Sequence, residues 1–124
     1  MANVLMVEDN TIFRETFKKG LQDRFTSVTV ETAISSEEAL QKIKEVPPQL
    51  IFTDIRLPGM NGLQLTEKIK KEFPGIIVAI VTGYDLPEYR QAALQYGADH
   101  FFIKDALKWE DISEFIQSVL PSVS

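Results

Sequence analysis

The chain has 124 residues, of which 44% are hydrophobic and 25% charged, with a net charge of −5 at pH 7. These values are typical of one globular domain that can bury a core without disulfides. The absence of cysteine excludes disulfides, thiolate catalysis and iron–sulfur clusters, and makes a cytoplasmic location the simplest expectation. The longest apolar run, residues 76–81, is too short to cross a membrane. The acidic balance argues against direct binding of nucleic acid by this domain.

Five short apolar runs alternate along the chain with five segments of helical spacing. Three of the runs are almost continuously apolar, which is typical of strands buried on both faces of a parallel sheet. The segments between them repeat apolar residues at steps of three and four, which predicts helices with one buried face. The pattern predicts an α/β fold: a (βα)5 flavodoxin-like, doubly wound parallel sheet with strand order 2-1-3-4-5. The predicted strands are Val4–Val7, Val28–Val30, Leu50–Thr53, Ile76–Val81 and Phe101–Ile103.

Local signals predict where several helices begin and end. Ser35 and Asp85 are each followed three residues later by glutamate, the spacing of a capping box at the start of a helix. The pair Pro47-Pro48 must stop the second helix, since proline has no N–H to donate. Gly75 and Gly97 follow the third and fourth helices, where a left-handed residue is common.

Charged and hydroxyl side chains stand at the carboxyl ends of four predicted strands. Glu8 and Asp9 follow the first strand, Asp54 the third, Thr82 ends the fourth, and Lys104 follows the fifth. Ligand sites of open parallel sheets form at these ends, near the point where the strand order reverses. With the predicted strand order, three carboxylates, one hydroxyl and one ammonium converge on one crevice.

This set of groups favours phosphoryl transfer. Three neighbouring carboxylates repel each other and need a cation, and hard oxygen ligands suit Mg²⁺. An aspartate beside such an ion can attack phosphorus, and a lysine and a hydroxyl can stabilise the oxygens of the transferring group. The sequence therefore predicts a phospho-acceptor aspartate site, in which Lys104 supplies a positive charge for the phosphate and Thr82 a short hydrogen-bond donor. His100 is not placed to act as a general base.

Four segments in this order resemble the receiver domain of bacterial two-component response regulators, over essentially the full length of the chain. They are residues 7–10 (VEDN), 54–62 (DIRLPGMNG), 81–83 (VTG) and 101–104 (FFIK). The resemblance implies that Asp54 takes a phosphoryl group from a phosphohistidine on a sensor histidine kinase or a phosphotransfer protein. It implies a signalling switch that is not an enzyme, although the domain takes part in its own phosphorylation and slow autodephosphorylation.

The resemblance also implies a role for each remaining site residue. Asp9, Asp54 and the backbone carbonyl of Arg56 would hold Mg²⁺, with Glu8 acting through water. Lys104 would pair with the acceptor or its phosphate. Thr82 would bind the phosphate while the aromatic ring of Phe101 turns inward. This change would remodel the surface of helix 4, strand 5 and helix 5, which would control an output and could pair two copies as a homodimer.

One departure from the family pattern bears on what the domain controls. Asp105 stands where the family usually has proline, and the Lys104-Asp105 pair is similar to regulators of the nitrate-response class, which carry a C-terminal helix-turn-helix. Residues 1–124 are expected to form one receiver domain. The tail, residues 121–124, is an end or the start of a truncated linker. A domain excised from a DNA-binding transcription regulator is favoured over a free-standing receiver.

Three other functions remain open on this fold. A flavin carrier needs a phosphate-binding loop after the first strand, where Glu8 and Asp9 would repel a phosphate. A haloacid dehalogenase-type phosphotransferase needs a second acid where Arg56 stands. A non-phosphorylated interaction domain is disfavoured because the key positions are filled.

Some of these residues also have simpler structural explanations when each is considered alone. Asp9 could be a helix cap, and Phe101 or Trp109 could be part of the core packing. A lysine cluster is expected to be a solvated helix face; its members are Lys68, Lys70 and Lys71.

Overall fold

The computed structural model describes residues 2–121, so most of the predicted tail lies outside the described residues. Every predicted strand and helix is present, in the predicted order. The elements are β1 (Ala2–Val7), α1 (Thr11–Arg24), β2 (Val28–Ala33), α2 (Ser36–Glu45), β3 (Leu50–Thr53), α3 (Gly62–Glu72), β4 (Ile77–Thr82), α4 (Pro87–Gln95), β5 (His100–Ile103), a short 3₁₀ helix (Lys104–Ala106) and α5 (Trp109–Val119). Within residues 2–121, no helix is long and apolar enough to cross a membrane.

The five strands form one parallel sheet in the order β2-β1-β3-β4-β5, which confirms the predicted fold class. Val7 at the end of β1 lies opposite Ala33 of β2 and Thr53 of β3, so these three strands end at one level. Thr82 at the end of β4 lies opposite Ile103 of β5. The residues that follow the strands therefore meet along one edge of the sheet.

Apolar side chains cover the sheet on both faces. On one face α1 and α5 contribute Leu21 and Ile116, which are fully buried. On the other face α2 and α3 contribute Ile43 and Ile69, also fully buried. Each such side chain stabilises the fold by roughly 1.5–3 kcal/mol through removal of apolar surface from water. Packing of apolar side chains on both faces of the sheet therefore fixes the positions of the strand ends.

Side-chain caps define the first two helices. Asn10, and not Asp9, caps α1, because its side chain accepts a hydrogen bond from the Phe13 N–H at 2.9 Å. Ser35 caps α2 as predicted and accepts from the Glu38 N–H at 3.1 Å. With Asn10 as the cap, the carboxylate of Asp9 is left for the site.

The predicted capping box of the fourth helix is wrong. The helix begins at Pro87, after Leu86, and no side chain caps it. Proline suits a first helical position because its φ is already helical and its missing N–H would have no partner there. Asp85 instead forms an ion pair with Arg90, with Oδ1 2.9 Å from Nε.

The predicted helix ends hold in two cases of three. Helix α2 stops at Glu45, just before the proline pair. Gly97 has a φ of 96° directly after α4, as predicted. The expectation for Gly75 is wrong: α3 has already ended at Glu72, and Gly75 is not among the residues of positive φ.

The lysine cluster of α3 is only partly a solvated face. Lys68 and Lys71 are exposed, as expected. Lys70 folds back instead, donating to the carbonyl of Ile76 at 2.7 Å and pairing with Asp99 at 2.7 Å. Lys70 thus ties α3 to the start of β4 and the approach to β5.

Candidate functional site

Three carboxylates converge at the carboxyl edge of the sheet, as the sequence predicts. Glu8, Asp9 and Asp54 each place a carboxylate oxygen within 4.8 Å of the other two. Glu8 is fully buried and Asp54 is 6% exposed, whereas Asp9 is open to solvent. Two of the three acids are therefore at the floor of the crevice and one is at its mouth.

Lys104 reaches both buried acids. Its Nζ lies 2.6 Å from Glu8 Oε1 and 3.1 Å from Asp54 Oδ2. Burial would lower the pKa of Lys104, but the hydrogen bond to Glu8 and the charge of Asp54 outweigh it and raise that pKa. The lysine is therefore an ammonium at neutral pH, beside the carboxylate that the family resemblance predicts to be the acceptor.

Opposing effects act on the pKa of Glu8. Burial raises the pKa of Glu8, and the hydrogen bonds from Lys104 and from the Asn10 N–H offset this only in part. The Asn10 N–H donates to Oε2 at 3.0 Å while Lys104 donates to Oε1. Both oxygens of Glu8 are thus engaged, which orients the carboxylate rigidly.

The backbone around Asp54 aims one carboxylate oxygen into the crevice. The Ile55 N–H donates to Asp54 Oδ1 at 2.7 Å, so Oδ2 is the oxygen that faces Lys104. The Gly62 N–H donates to the Ile55 carbonyl at 2.8 Å. A Cβ on Gly62 would lie 1.8 Å from the Asp54 carbonyl oxygen. Only glycine allows α3 to start this close to the end of β3.

The loop after Asp54 is braced by the first turn of α2. Ser36 donates from Oγ to the Met60 carbonyl at 2.8 Å, and Glu37 accepts from the Met60 N–H at 3.2 Å. Gly59 takes a φ of 71° within this loop. The sequence analysis did not identify Ser36 or Glu37, because a helix start offers no signal for a contact 23 or 24 residues away.

Two residues of α1 contact the site. The Arg14 guanidinium donates to the carbonyl of Glu8 at 3.0 Å, which holds the turn between β1 and α1. The ring of Phe13 lies beneath Lys104, with Nζ 4.3 Å from the ring centroid. The spacing of Phe13 with Phe17 predicts core packing, and nothing in this pattern indicates a contact with Lys104.

Thr82 and Phe101 stand on the neighbouring strands β4 and β5. Thr82 is buried, and its hydroxyl oxygen lies 3.4 Å from the Tyr84 N–H, which donates to it. Phe101 is half-buried against a small cluster that includes Ile80, and the Arg90 guanidinium lies 4.8 Å from its ring centroid. The ring of Phe101 is therefore in contact with a cation as well as with this cluster.

Arg56 links the loop after Asp54 to α4. Its guanidinium lies 4.1 Å from the ring centroid of Tyr84. A hydrogen bond with Tyr89 raises the pKa of Arg56, and the electrostatic interaction with Tyr84 raises it further. The Lys104–Asp105 peptide bond is trans, as is every other peptide bond in residues 2–121.

Comparison with known proteins gives one consistent result. The family model for the response regulator receiver domain matches residues 4–117. Among solved structures, a CheY-like response regulator receiver domain protein from Methanospirillum hungatei has a TM-score of 0.89 and 33% identity, covering 98% of this chain and 95% of that one. A DNA-binding response regulator of the LuxR family from Staphylococcus aureus has a TM-score of 0.88 and 25% identity, covering 96% and 98%.

Curated relatives are longer than this chain. The response regulator GacA of Pseudomonas viridiflava is 31% identical over 119 residues, which is 96% of this chain and 54% of the relative. The response regulator protein VraR of Staphylococcus saprophyticus is 33% identical over 92% of this chain and 54% of its own length. The chain spans about half the length of these relatives.

Proposed function

Since the chain belongs to the family of response regulator receiver domains, we propose that it is a phospho-acceptor switch and that Asp54 is the acceptor. The observation that carries this proposal is the orientation of the Asp54 carboxylate. One oxygen is tied to the backbone, and the other faces the crevice 3.1 Å from the Lys104 ammonium. A nucleophile presented in this way beside a fixed cation suits attack on phosphorus.

In the transfer step, Asp54 Oδ2 attacks the phosphorus of a phosphohistidine on a sensor histidine kinase or phosphotransfer protein. The new O–P bond forms as the P–N bond breaks, and the imidazole leaves with the bonding electron pair and takes up a proton. Lys104 and Thr82 donate to the phosphoryl oxygens as charge develops on them. Arg56 supplies no carboxylate for the acid–base step of a haloacid dehalogenase-type enzyme, and its side chain is engaged by Tyr84.

The donor set fits Mg²⁺. Three carboxylates face one ammonium, which leaves an excess of negative charge, and carboxylate oxygens are the ligands that a hard dication prefers. Asp9, Asp54 and the Arg56 carbonyl would hold the ion, with Glu8 acting through water. When bound, the ion would neutralise charge on the phosphoryl oxygens.

The switch would work through Thr82 and Phe101. A phosphoryl group on Asp54 would draw the Thr82 hydroxyl toward it and vacate space that Phe101 can fill. Helix α4 is suited to respond, because it has no side-chain cap and Ala93 is its buried residue. The surface of α4, β5 and α5 would then change, and with it the contact to an output or to a second copy in a homodimer.

The relatives suggest the output. DNA-binding and transcriptional regulators are among the proteins that the chain resembles. We infer that this receiver controls transcription through a separate DNA-binding region, and that it meets its kinase in the cytoplasm.

The proposal is tested by intact-mass measurement after treatment with acetyl phosphate, with and without Mg²⁺. The wild-type protein should gain the mass of one phosphoryl group in the presence of Mg²⁺, and Asp54→Asn should not. Asp23→Asn is the matched control, because Asp23 is an exposed acid on α1 that pairs only with Lys19 among the contacts described. Equal uptake by wild type and Asp54→Asn would contradict the assignment of the acceptor.

A further inference from the structure

We propose that Phe13 is a positioning residue for Lys104: the face of its ring holds the lysine ammonium where it meets both Glu8 and Asp54. This inference rests on the proposed function, because it concerns the cation that accompanies the acceptor. The contact itself is independent of phosphorylation and can be measured without it.

The ammonium is enclosed on three sides. Glu8 Oε1 lies 2.6 Å from Nζ, Asp54 Oδ2 lies 3.1 Å from it, and the centroid of the Phe13 ring lies 4.3 Å from it. A cation within about 6 Å of an aromatic face is attracted by the ring quadrupole, more strongly where water is excluded. Since the Lys104 side chain is 20% exposed, this attraction is only weakly screened.

The ring that holds the lysine is itself rigid. Phe13 lies in the first turn of α1, and its N–H donates to the capping side chain of Asn10 at 2.9 Å. Its ring stacks on Phe17 with centroids 5.8 Å apart, and Phe17 packs on Trp109 with centroids 5.4 Å apart. The ring is therefore a fixed surface, whereas the four-carbon stem of lysine is flexible.

Positioning matters because Glu8 and Asp54 compete for the same ammonium. The bond to Glu8 is shorter by half an ångström than the bond to Asp54. Without the ring, Lys104 is free to swing toward Glu8 or toward solvent, away from the oxygen that would receive phosphorus. The attraction to the ring adds a third contact to those with Glu8 and Asp54, so the ammonium stays where the phosphoryl oxygens would arrive.

The test compares rings of different electrostatics at position 13. Phe13→Leu keeps apolar bulk without a ring, Phe13→Tyr keeps the ring, and replacement of Phe13 by pentafluorophenylalanine keeps the shape but reverses the quadrupole. The rate of phosphorylation by acetyl phosphate at saturating Mg²⁺ is measured for each. We expect it to fall about three- to tenfold for the leucine and fluorinated variants and to stay within about twofold for tyrosine.

Phe115→Leu is the matched control, because Phe115 is another half-buried phenylalanine packed against the same core. Among residues 2–121, the lysine that lies over a ring is Lys104, on Phe13. It should leave the rate unchanged even where it lowers stability. A wild-type rate in the fluorinated variant would overturn the proposal, since the ring would then act by shape alone. An equal loss in Phe115→Leu would also overturn it.

A second measurement separates this inference from the proposed function. In the unphosphorylated protein, NMR should show the ε-methylene protons of Lys104 shifted upfield by the Phe13 ring current, and the shift should vanish in Phe13→Leu. Absence of the shift in wild type would overturn the inference, whatever the phosphorylation rates. If the shift is present while wild type takes up no phosphoryl group, the proposed function fails and the placement of Lys104 by Phe13 stands.

Discussion

Replacing Gly62 by alanine should damage both the fold and the acceptor. The added Cβ would lie 1.8 Å from the Asp54 carbonyl oxygen and 3.0 Å from Ile55 Cα. Both neighbours are backbone, so α3 must move away by about 1.2 Å to restore a contact of 3.0 Å. That movement would break the 2.8 Å hydrogen bond from the Gly62 N–H to the Ile55 carbonyl.

The cost can be worked from these contacts. Loss of one backbone hydrogen bond costs about 1 kcal/mol, and an overpacked site costs about 1–3 kcal/mol. We therefore expect Gly62→Ala to lower the free energy of unfolding by about 2–4 kcal/mol and the melting temperature by about 10 °C. Because the clash is with the backbone of Asp54 and the lost hydrogen bond lies in the loop that follows it, the rate of phosphorylation should fall as well.

Gly83→Ala is the control, since a Cβ at that position meets nothing within 4 Å. Gly83 follows Thr82 at the same edge of the sheet and lacks a positive φ, so its replacement should change stability by less than about 0.5 kcal/mol. Urea denaturation of both variants measures the difference. A Gly62→Ala protein as stable as Gly83→Ala would refute the argument that α3 needs this close approach.

Three further predictions concern the carboxylate cluster, the packing of α1 on α5, and Lys104. Mg²⁺ at a hundred times its dissociation constant should raise the free energy of unfolding by about 2.7 kcal/mol, as measured by urea titration. Asp9→Asn should lose most of this stabilisation. Equal stabilisation of wild type and Asp9→Asn would speak against the carboxylate cluster as the binding site. Gly20→Ala places a Cβ 2.1 Å from the Trp109 ring, so we expect the free energy of unfolding to fall by about 1–3 kcal/mol. The fluorescence emission of this single tryptophan should shift to the red. Unchanged emission would show that the ring had not been displaced. Lys104→Met should cost about 1–2 kcal/mol at pH 7. Because Glu8 raises the folded pKa of Lys104, this difference from wild type should persist between pH 7 and 10.5 and shrink at higher pH. A difference that is unchanged as the pH rises beyond 10.5 would argue against the ion pair.

The fold and the convergence of the site were predictable because both follow from strand ends. Continuous apolar runs identified the strands, and the family resemblance is confirmed by the match over residues 4–117. Glu8, Asp54 and Lys104 each follow a strand directly, so sheet topology alone brings them together. Position along a strand is a property that a sequence displays, which is why this part succeeded.

The parts that failed depend on competition between neighbouring groups. Asp85 has the spacing of a cap, but Pro87 starts α4 two residues later and Arg90 takes the carboxylate. Lys70 belongs to a run of lysines, yet one carbonyl and Asp99 lie within its reach. In such cases several residues suit one role locally, and only the packed structure decides among them.

Phe13 was missed for a different reason. Its spacing along α1 is that of a core residue, and it does pack against the core, so the pattern was interpreted correctly but incompletely. One face of the ring meets the core while Lys104, 91 positions later in the chain, meets the ring as well. The helical periodicity of the sequence reveals the contact of Phe13 with the core, but it does not reveal a contact with a residue far along the chain.

The hydrogen bond between Lys104 and Glu8 spans 96 positions of the chain. During synthesis, the first and third strands leave the ribosome long before Lys104 does. The acidic crevice must therefore exist for a time without its built-in counter-charge, and the last strand supplies that charge as it joins the outer edge of the sheet. On the proposed function, Asp54 would therefore become competent to take up a phosphoryl group only after β5 has joined the sheet.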